Sequence, residues 1–199
     1  MTLPDRTALV VVDVQVGFED PAWGPRNNPA CDTNIGSLVD AFTRSGRPVV
    51  LVRHDSREPG SPLAAGSPGN ALKPYLAGVQ PDLLVTKSVN SSFHGEPDLD
   101  AWLREAGVSA IVVTGITTNH CCETTARVGG NLGYDVRFVL DATHTFDRQG
   151  PDGSWMTADQ LAAATATNLH DEFATVVSTA DVLADLEAAG VPDSGGQPG

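Results

Sequence analysis

The 199-residue sequence predicts a single α/β domain, in which a parallel sheet is covered by helices on both faces. Six short runs rich in Val, Ile and Leu recur along the chain without the apolar–polar alternation of a half-exposed strand. Such runs are typical of strands buried on both faces. The segments between them are long enough to hold the crossover helices that parallel strands need. The runs are residues 8–12, 49–52, 83–86, 110–114, 136–140 and 174–177.

Five segments between and after these runs have helical character, at 33–45, 98–106, 119–132, 157–170 and 179–189. In the second, for example, Leu99, Trp102 and Leu103 share one face, as the helical repeat requires. Glycines that favour C-terminal caps stand at or near the ends of four of them: Gly46, Gly107, Gly133 and Gly190. We expect residues 1–190 to form the domain and the Gly- and Pro-rich segment 191–199 to be a disordered tail.

Composition and charge argue against several classes of function. The 25 acidic and 12 basic residues give a formal charge of -13, which repels nucleic acid and anionic membrane, so neither is an expected partner. The first residues contain no signal-peptide core or membrane span, which predicts a cytoplasmic protein. Cys31, Cys121 and Cys122 are odd in number and lack metal-ligand spacing, which favours reduced thiols. No glycine-rich nucleotide fingerprint follows the first strand, so no cofactor is expected.

Chemically reactive side chains stand where the predicted strands end. In open parallel sheets, ligands bind at the carboxyl ends of the strands. Asp13 ends the first run, Lys87 ends the third, and Cys121 follows the fourth at the start of a helix. Unpaired N–H groups and the helix dipole at such a position lower a thiol pKa, which predicts a nucleophile. The alternatives are a buried cysteine that serves as a small apolar residue and a structural Asp13–Lys87 ion pair.

Three long loops, 15–31, 54–80 and 142–156, are expected at the same edge of the sheet. These loops and the segment after Lys87 carry six of the eleven aromatic residues, which is consistent with an apolar-walled pocket. The alternative is that the aromatics anchor loops or an oligomer interface. The predicted substrate contacts are Phe18, Trp23, Phe93, His94, His120 and Trp155, although His120 could instead cap the helix.

The ordered set Asp13, Lys87 and Cys121 resembles the isochorismatase-like cysteine hydrolases. The matching motifs are Val12-Asp13-Val14-Gln15, Lys87 followed by Asn90-Ser91-Ser92-Phe93, and Thr114-Gly115-Ile116-Thr117-Thr118-Asn119-His120-Cys121-Cys122-Glu123. The resemblance implies a Rossmann-like three-layer sandwich with a six-stranded parallel sheet of order 3-2-1-4-5-6. It also implies that Asp13, Lys87 and Cys121 form a catalytic triad. A cis peptide between Ile116 and Thr117 would direct the Thr117 N–H towards an oxyanion beside the Cys121 N–H.

By the same resemblance, the chain hydrolyses an amide or ureido C–N bond of a small molecule through a thioester. The likeness is to the amidohydrolase branch that includes N-carbamoylsarcosine amidohydrolase and streptothricin hydrolase. Nicotinamidases carry an Asp-x-His metal motif after the second strand, whereas this chain has Arg53-His54-Asp55, so no metal is expected. The resemblance also implies a homodimer or larger homo-oligomer. Two alternatives stay open: a non-catalytic small-molecule binding protein on the same fold, and a streptothricin-type cyclic-amide hydrolase.

Overall fold

The computed structural model describes residues 2–190, and the tail expected at 191–199 lies outside them. Its strands are β1 (Thr7–Val12), β2 (Val49–His54), β3 (Leu83–Lys87), β4 (Ala110–Ile116), β5 (Asp135–His144), β6 (Arg148–Gln149), β7 (Trp155–Met156) and β8 (Thr175–Val177). Six of them form a parallel sheet of order β3-β2-β1-β4-β5-β8. Since β8 is the sixth strand of that sheet, the predicted fold class and strand order are confirmed. The other two, β6 and β7, form an unpredicted antiparallel ribbon.

The helices follow the predicted segments, with shifts at their ends. They are α1 (Cys31–Arg44), α2 (Leu99–Glu105), α3 (Glu123–Asn131), α4 (Ala158–Leu169) and α5 (Thr179–Gly190). The start of α4 is fixed by a capping box between Thr157 and Gln160. The segment predicted as the start of the third helix is instead a π-helical turn, Thr118–Cys122, that leads into α3. Within residues 2–190, no helix is both long and apolar enough to cross a bilayer.

Alternate residues of the central strand β1 pack into two cores on opposite faces of the sheet. One core contains Leu9 and Val11 with side chains of α1 and α5, and the other contains Ala8, Val10 and Val12 with side chains of α2, α3 and α4. Both faces of β1 therefore bury apolar groups, which explains why its sequence shows no alternation.

Gly115 brings the ends of β1 and β4 together. It pairs with Val12 across the sheet and has a φ of 127°. A Cβ at this position would lie 2.0 Å from the Val12 carbonyl oxygen, so a side chain cannot be accommodated without moving a strand. The residues that follow these two strands, Asp13 and Thr117, consequently emerge side by side at the carboxyl edge of the sheet.

Both outer strands of the sheet are short. The edge strand β8 has three residues, and β3 has five. On the outer side of β3, Thr86 exchanges two backbone hydrogen bonds with Glu96, each 2.8 Å long. The chain thus covers part of its own sheet edge.

Candidate active site

Asp13 follows β1 directly and adopts a left-handed backbone conformation, with a φ of 53°. This conformation costs a non-glycine residue about 1 to 3 kcal/mol and is concentrated at functional sites. Its N–H donates to the Val52 carbonyl at 2.9 Å, and its own carbonyl accepts the Gln15 N–H at 2.8 Å. These bonds hold a fully buried carboxylate at the base of a cavity.

Lys87, the last residue of β3, provides the counter-charge. Its Nζ donates to Asp13 Oδ2 at 2.5 Å, and both side chains are completely buried. Burial lowers the pKa of Lys87, but the negative charge of Asp13 and the hydrogen bond to it, with a further contribution from Cys121, raise it more, so its pKa lies above the usual value and the ammonium is retained. The other oxygen, Asp13 Oδ1, is buried and has no hydrogen-bond partner among the described residues. The carboxylate therefore keeps one acceptor available.

The Cys121 sulfur lies close to that carboxylate. Cys121 is the fourth residue of the π-helical turn Thr118–Cys122, a structure frequently found at functional sites. Its thiol donates to Asn90 Oδ1 at 3.8 Å. The sulfur, a carboxylate oxygen of Asp13 and a ring nitrogen of His54 all lie within 4.8 Å of one another. The fold thus brings together the three residues predicted as a triad and adds His54 to them.

The thiol pKa is the opposite of the sequence-based expectation. Burial raises the pKa of Cys121, the charge of Asp13 raises it further, and Lys87 only partly opposes them, so the pKa lies well above its ordinary range. Desolvation and a neighbouring carboxylate thus outweigh the favourable position at the start of a helix. The resting group is a thiol, and a base must remove its proton before it attacks. Cys122 is completely buried, and burial also raises its pKa.

The peptide bond between Ile116 and Thr117 is cis, the form that the resemblance implies. Thr117 is the residue before the π-helical turn and lines the cavity that contains Cys121. Within residues 2–190, its backbone N–H donates to no acceptor. This N–H is consequently available to an oxyanion that forms beside the sulfur.

His54 is a site residue whose contact with Lys87 the sequence did not reveal. Its backbone N–H donates to Gln15 Oε1 at 2.8 Å, and its carbonyl accepts the side-chain amides of Gln15 and Asn70, each at 3.0 Å. Its Nδ1 lies 3.2 Å from Lys87 Nζ, and since an ammonium can only donate, Nδ1 accepts and Nε2 carries the ring proton. Burial and then the charge of Lys87 lower the pKa of His54, so the ring is neutral near pH 7.

The donor atoms of Asp13, His54 and Cys121 are close enough to surround a metal ion. However, the Lys87 ammonium already contacts Asp13 at 2.5 Å and His54 at 3.2 Å. A buried positive charge at this distance repels a second cation. The donor set therefore does not fit a resident metal, and Lys87 provides the positive charge of the site.

Two adjoining cavities open at this edge of the sheet. The first, of about 370 Å³, contains Asp13 and Cys121, and the second has a volume of about 430 Å³. Of the predicted substrate contacts, Phe18 lines the first cavity, Trp155 lines the second, and Trp23 and His120 line both. Burial and then the charge of Arg148 lower the pKa of His120, which favours a neutral ring.

An aromatic wall stands beside these cavities. The ring of Trp23 lies 5.3 Å from that of Phe18 and 5.5 Å from that of Phe146, measured between centroids. The Trp23 indole N–H donates to the Gly17 carbonyl at 3.0 Å, which fixes the ring. The loops 15–31 and 142–156 are thus joined by packed aromatic rings, and these rings provide an apolar surface for a substrate.

Two of the predicted substrate contacts, Phe93 and His94, are not among the residues that line the two cavities. They lie in a short 3₁₀ turn, Ser92–His94, in which the Ser91 side chain accepts the Phe93 N–H. The Phe93 ring stacks on Tyr134 with centroids 5.8 Å apart, and His94 is exposed. Proximity to Lys87 in sequence therefore did not place these side chains at the site.

Arg148 and Asn90 are cavity residues that the sequence analysis did not select. Asn90 belongs to a recognised motif, but only the fold shows that its side chain accepts the Cys121 thiol. Arg148 lies on the ribbon strand β6, whose two residues carry no periodic signal. No local pattern distinguishes it from the other arginines of the chain.

Comparisons with known proteins agree with this architecture. The family described as Isochorismatase domain matches residues 7–181. The uncharacterized isochorismatase family protein YrdC of Bacillus subtilis is 34% identical over 184 residues, which are 92% of this chain and 98% of the relative. The ureidoacrylate amidohydrolase RutB of Methylobacterium radiotolerans is 31% identical over 225 residues, with 95% of this chain and 81% of the relative covered. Nicotinamidase 3 of Arabidopsis thaliana is 31% identical over 183 residues, with coverages of 85% and 83%.

Solved structures give the same result. The crystal structure of an isochorismatase-family protein from Chromobacterium violaceum has 35% identity and a TM-score of 0.88, and the match covers 94% of this chain and 98% of that one. A cysteine hydrolase from Pseudomonas syringae pv. phaseolicola has 31% identity and a TM-score of 0.84, with coverages of 92% and 93%. The chain therefore belongs to the isochorismatase family of hydrolases.

Proposed function

We propose that this protein hydrolyses an amide or ureido C–N bond of a small molecule through a thioester on Cys121. The observation that carries the proposal is the state of the Asp13 carboxylate. One oxygen is held by Lys87, and the other is buried without a partner among the described residues, next to a thiol whose raised pKa demands a base.

In the first half of the reaction, Asp13 Oδ1 accepts the thiol proton while the Cys121 sulfur attacks the substrate carbonyl carbon. The new C–S bond moves an electron pair onto the carbonyl oxygen. The Thr117 N–H is available to stabilise this oxyanion, with the Cys121 N–H as the second expected donor. When the oxyanion collapses, the C–N bond breaks, and Asp13 returns its proton to the departing nitrogen.

In the second half, water attacks the thioester. Asp13 accepts a proton from this water, the C–S bond breaks, and the proton returns to the sulfur, so that the acid leaves and the thiol is restored. Throughout the cycle, Lys87 keeps the carboxylate in place and offsets its charge. His54, which accepts a hydrogen bond from Lys87, limits the positions that the ammonium can take.

The names of two relatives support this reaction class. Ureidoacrylate amidohydrolase and nicotinamidase both denote hydrolysis at a carbon–nitrogen bond. A third protein, similar in structure, is a cysteine hydrolase, and that name specifies the residue type that we propose as nucleophile.

The test is a panel of ureido compounds, nicotinamide-like amides and cyclic amides, assayed for ammonia or acid release. Acid-quenched reactions are then analysed by mass spectrometry for an acyl adduct on Cys121. Cys121→Ala should fold and lose turnover and adduct. The matched control is Cys31→Ala, which removes another buried thiol, at the start of α1, and should keep both.

Two results would contradict the proposal. Full activity of Cys121→Ala would remove the cysteine from the chemistry. Absence of turnover and adduct across the panel, combined with saturable binding of one of its compounds, would favour the alternative of a non-catalytic small-molecule binding protein.

A further inference from the structure

His54 lies beside the proposed base in the row of residues at the carboxyl edge of the sheet. It is the last residue of β2, and β2 runs between β3, which ends in Lys87, and β1, which immediately precedes Asp13. Thr117 and Cys121 follow β4, which lies on the other side of β1. Asp13 is thus flanked by His54 on one side and by the nucleophile and the available Thr117 N–H on the other.

The protonated ring nitrogen of His54, Nε2, donates to no acceptor among the described residues. The adjacent carboxylate of Asp55 is engaged elsewhere, since its oxygens accept from Arg53 at 2.8 and 3.1 Å and from the Asn70 amide at 3.0 Å. His54 is only partly buried, and it lines the cavity that contains Cys121. Its Nε2–H is therefore a hydrogen-bond donor available to a molecule in that cavity.

The imidazole is close enough to the reacting groups to share one small molecule with them. A ring nitrogen of His54, an oxygen of Asp13 and the Cys121 sulfur lie within 4.8 Å of one another. Two hydrogen bonds of about 3 Å each span about 6 Å, so a single oxygen atom bound at the carboxylate is within reach of the ring beside it. Since the Lys87 ammonium repels a cation here, a neutral molecule such as water fits this place better than a metal ion.

The chemistry of the two half-reactions decides which molecule can use this donor. The leaving nitrogen and the hydrolytic water share one place beside Asp13, because this carboxylate protonates the first and deprotonates the second. An amide nitrogen is a poor hydrogen-bond acceptor, because its lone pair is delocalised into the carbonyl group. The oxygen of water accepts hydrogen bonds while its own O–H groups donate. An N–H donor at this place therefore favours the water of the second half-reaction over the amide nitrogen of the first.

We infer that His54 is a further catalytic residue, whose Nε2–H donates a hydrogen bond to the oxygen of the hydrolytic water while Asp13 accepts a proton from that water. This inference rests on the proposed function, because the water attacks the thioester on Cys121. The ring itself transfers no proton. The water proton passes to Asp13 Oδ1 and then to the sulfur, as the C–O bond forms and the C–S bond breaks. The lowered pKa of His54 keeps the ring neutral near pH 7, so the same N–H is present in each turnover.

The test separates formation of the thioester from its hydrolysis. The probe is p-nitrophenyl acetate, which acetylates a reactive thiol and releases p-nitrophenolate, so absorbance measures the acetylation rate. After the excess probe is removed, mass spectrometry follows the loss of the acetyl group from Cys121.

Two variants divide the two nitrogens of the ring between them. The amide of His54→Gln can donate near the place of Nε2, whereas the carbonyl oxygen of His54→Asn can only replace Nδ1 as the acceptor for Lys87. We expect His54→Asn to slow the loss of the acetyl group by about 10- to 100-fold and to change the acetylation rate by less than about threefold, the effect of one hydrogen bond lost from the second step alone. His54→Gln should lose the acetyl group at a rate closer to that of the wild type. His54→Ala, which also removes the donor, gives the same comparison if the asparagine variant does not fold.

Two controls accompany these variants. His94→Asn changes an exposed histidine that is not among the residues lining the two cavities, and it should leave both rates unchanged. Hydroxylamine, a stronger nucleophile than water, does not depend on the proposed hydrogen bond. It should therefore remove the acetyl group from His54→Asn at nearly the wild-type rate.

The outcomes distinguish the role of His54 from the proposed function. Hydrolysis of acetyl-Cys121 in His54→Asn at the wild-type rate, or more slowly in His54→Gln than in His54→Asn, would show that the ring acts only through Lys87 and would overturn the inference. Equal slowing of the hydroxylamine reaction would overturn it as well, because the acetyl group itself would then be displaced. In each of these cases the thioester chemistry stands. A wild type that is not acetylated on Cys121 would instead refute the proposed function, and the role of His54 with it.

Discussion

Replacing Lys87 with methionine tests how much the buried ion pair between Lys87 and Asp13 contributes to the stability of the fold. Lys87 supplies the hydrogen bond to the Asp13 carboxylate, and no other partner for that carboxylate exists among the described residues. Removing one member of a buried ion pair typically costs about 3 to 5 kcal/mol, because the other charge is left desolvated. We therefore expect Lys87→Met to lower the free energy of unfolding by about 3 to 5 kcal/mol at pH 7.

Replacing the other member of the pair, in Asp13→Asn, should lower the free energy of unfolding by a smaller amount. In Asp13→Asn the ammonium keeps its 3.2 Å contact with His54 Nδ1, so the remaining charge retains a partner. In the double variant Asp13→Asn/Lys87→Met no buried charge is left unpaired. We expect this double variant to be more stable than Lys87→Met alone, and the proposed function predicts that all three variants lack turnover.

Urea unfolding followed by tryptophan fluorescence measures these differences. Lys73→Met is a matched control, since Lys73 is also buried and ion-paired. Its partner Asp32 keeps an ion pair with Arg26 at 2.7 Å and is partly exposed, so the loss should be smaller. Equal losses of unfolding free energy in the two lysine variants, or a double variant as unstable as Lys87→Met, would contradict this prediction. Either result would show that removing Lys87 does not leave the Asp13 charge buried without a partner.

Cys121, His144 and Gly115 each give a further prediction. Besides burial, the charge of Asp13 raises the pKa of Cys121. Asp13→Asn should therefore increase the rate at which iodoacetamide labels Cys121 at about pH 8, while it abolishes turnover. Peptide mass spectrometry measures the labelling, and a slower rate than in the wild type would contradict the raised pKa. Burial lowers the pKa of His144 to about 3, below its unfolded value of about 6.5, so the unfolded chain binds the proton first and stability falls as pH drops below that value. Between pH 6.5 and 5 this loss of unfolding free energy amounts to about 2 kcal/mol. In urea titrations, the unfolding free energy of His144→Leu should therefore depend less steeply on pH than that of the wild type. An unchanged pH dependence would exclude His144 as the cause. Gly115→Ala should lower the free energy of unfolding by more than about 3 kcal/mol in thermal or urea unfolding, since its Cβ would collide with the β1 backbone. The control Gly36→Ala places its Cβ no nearer than 3.9 Å to the surrounding atoms, and it should raise the free energy of unfolding by about 0.5 to 1 kcal/mol. Similar effects of the two alanine substitutions would refute the close approach.

The sheet and its helices could be predicted because their signals are local. Runs buried on both faces predicted each strand to within a few residues, except for β5, which continues to His144. The order of the strands came from the family resemblance, because no local pattern encodes it. The ribbon β6–β7 was missed, since two-residue strands have no periodicity to detect.

The meeting of three candidate residues at one edge of the sheet could be predicted from the sequence, but the electrostatics of that cluster could not. Asp13, Lys87 and Cys121 follow strand ends, and strand ends converge at one edge of a parallel sheet. The predicted direction of the Cys121 pKa shift was wrong, because the shift depends on how deeply Cys121 is buried and on its distance from Asp13. His54 and Arg148 were missed for the same reason: their contacts depend on how separate loops meet.

The bonds between Thr86 and Glu96 also affect how copies of this chain can associate. A foreign strand that approached the outer side of β3 would find the N–H and carbonyl of Thr86 already occupied. At the opposite border, β8 offers three residues, a short template for an added strand. Growth by lateral addition of strands, as in a fibril, is therefore disfavoured at both borders of the sheet.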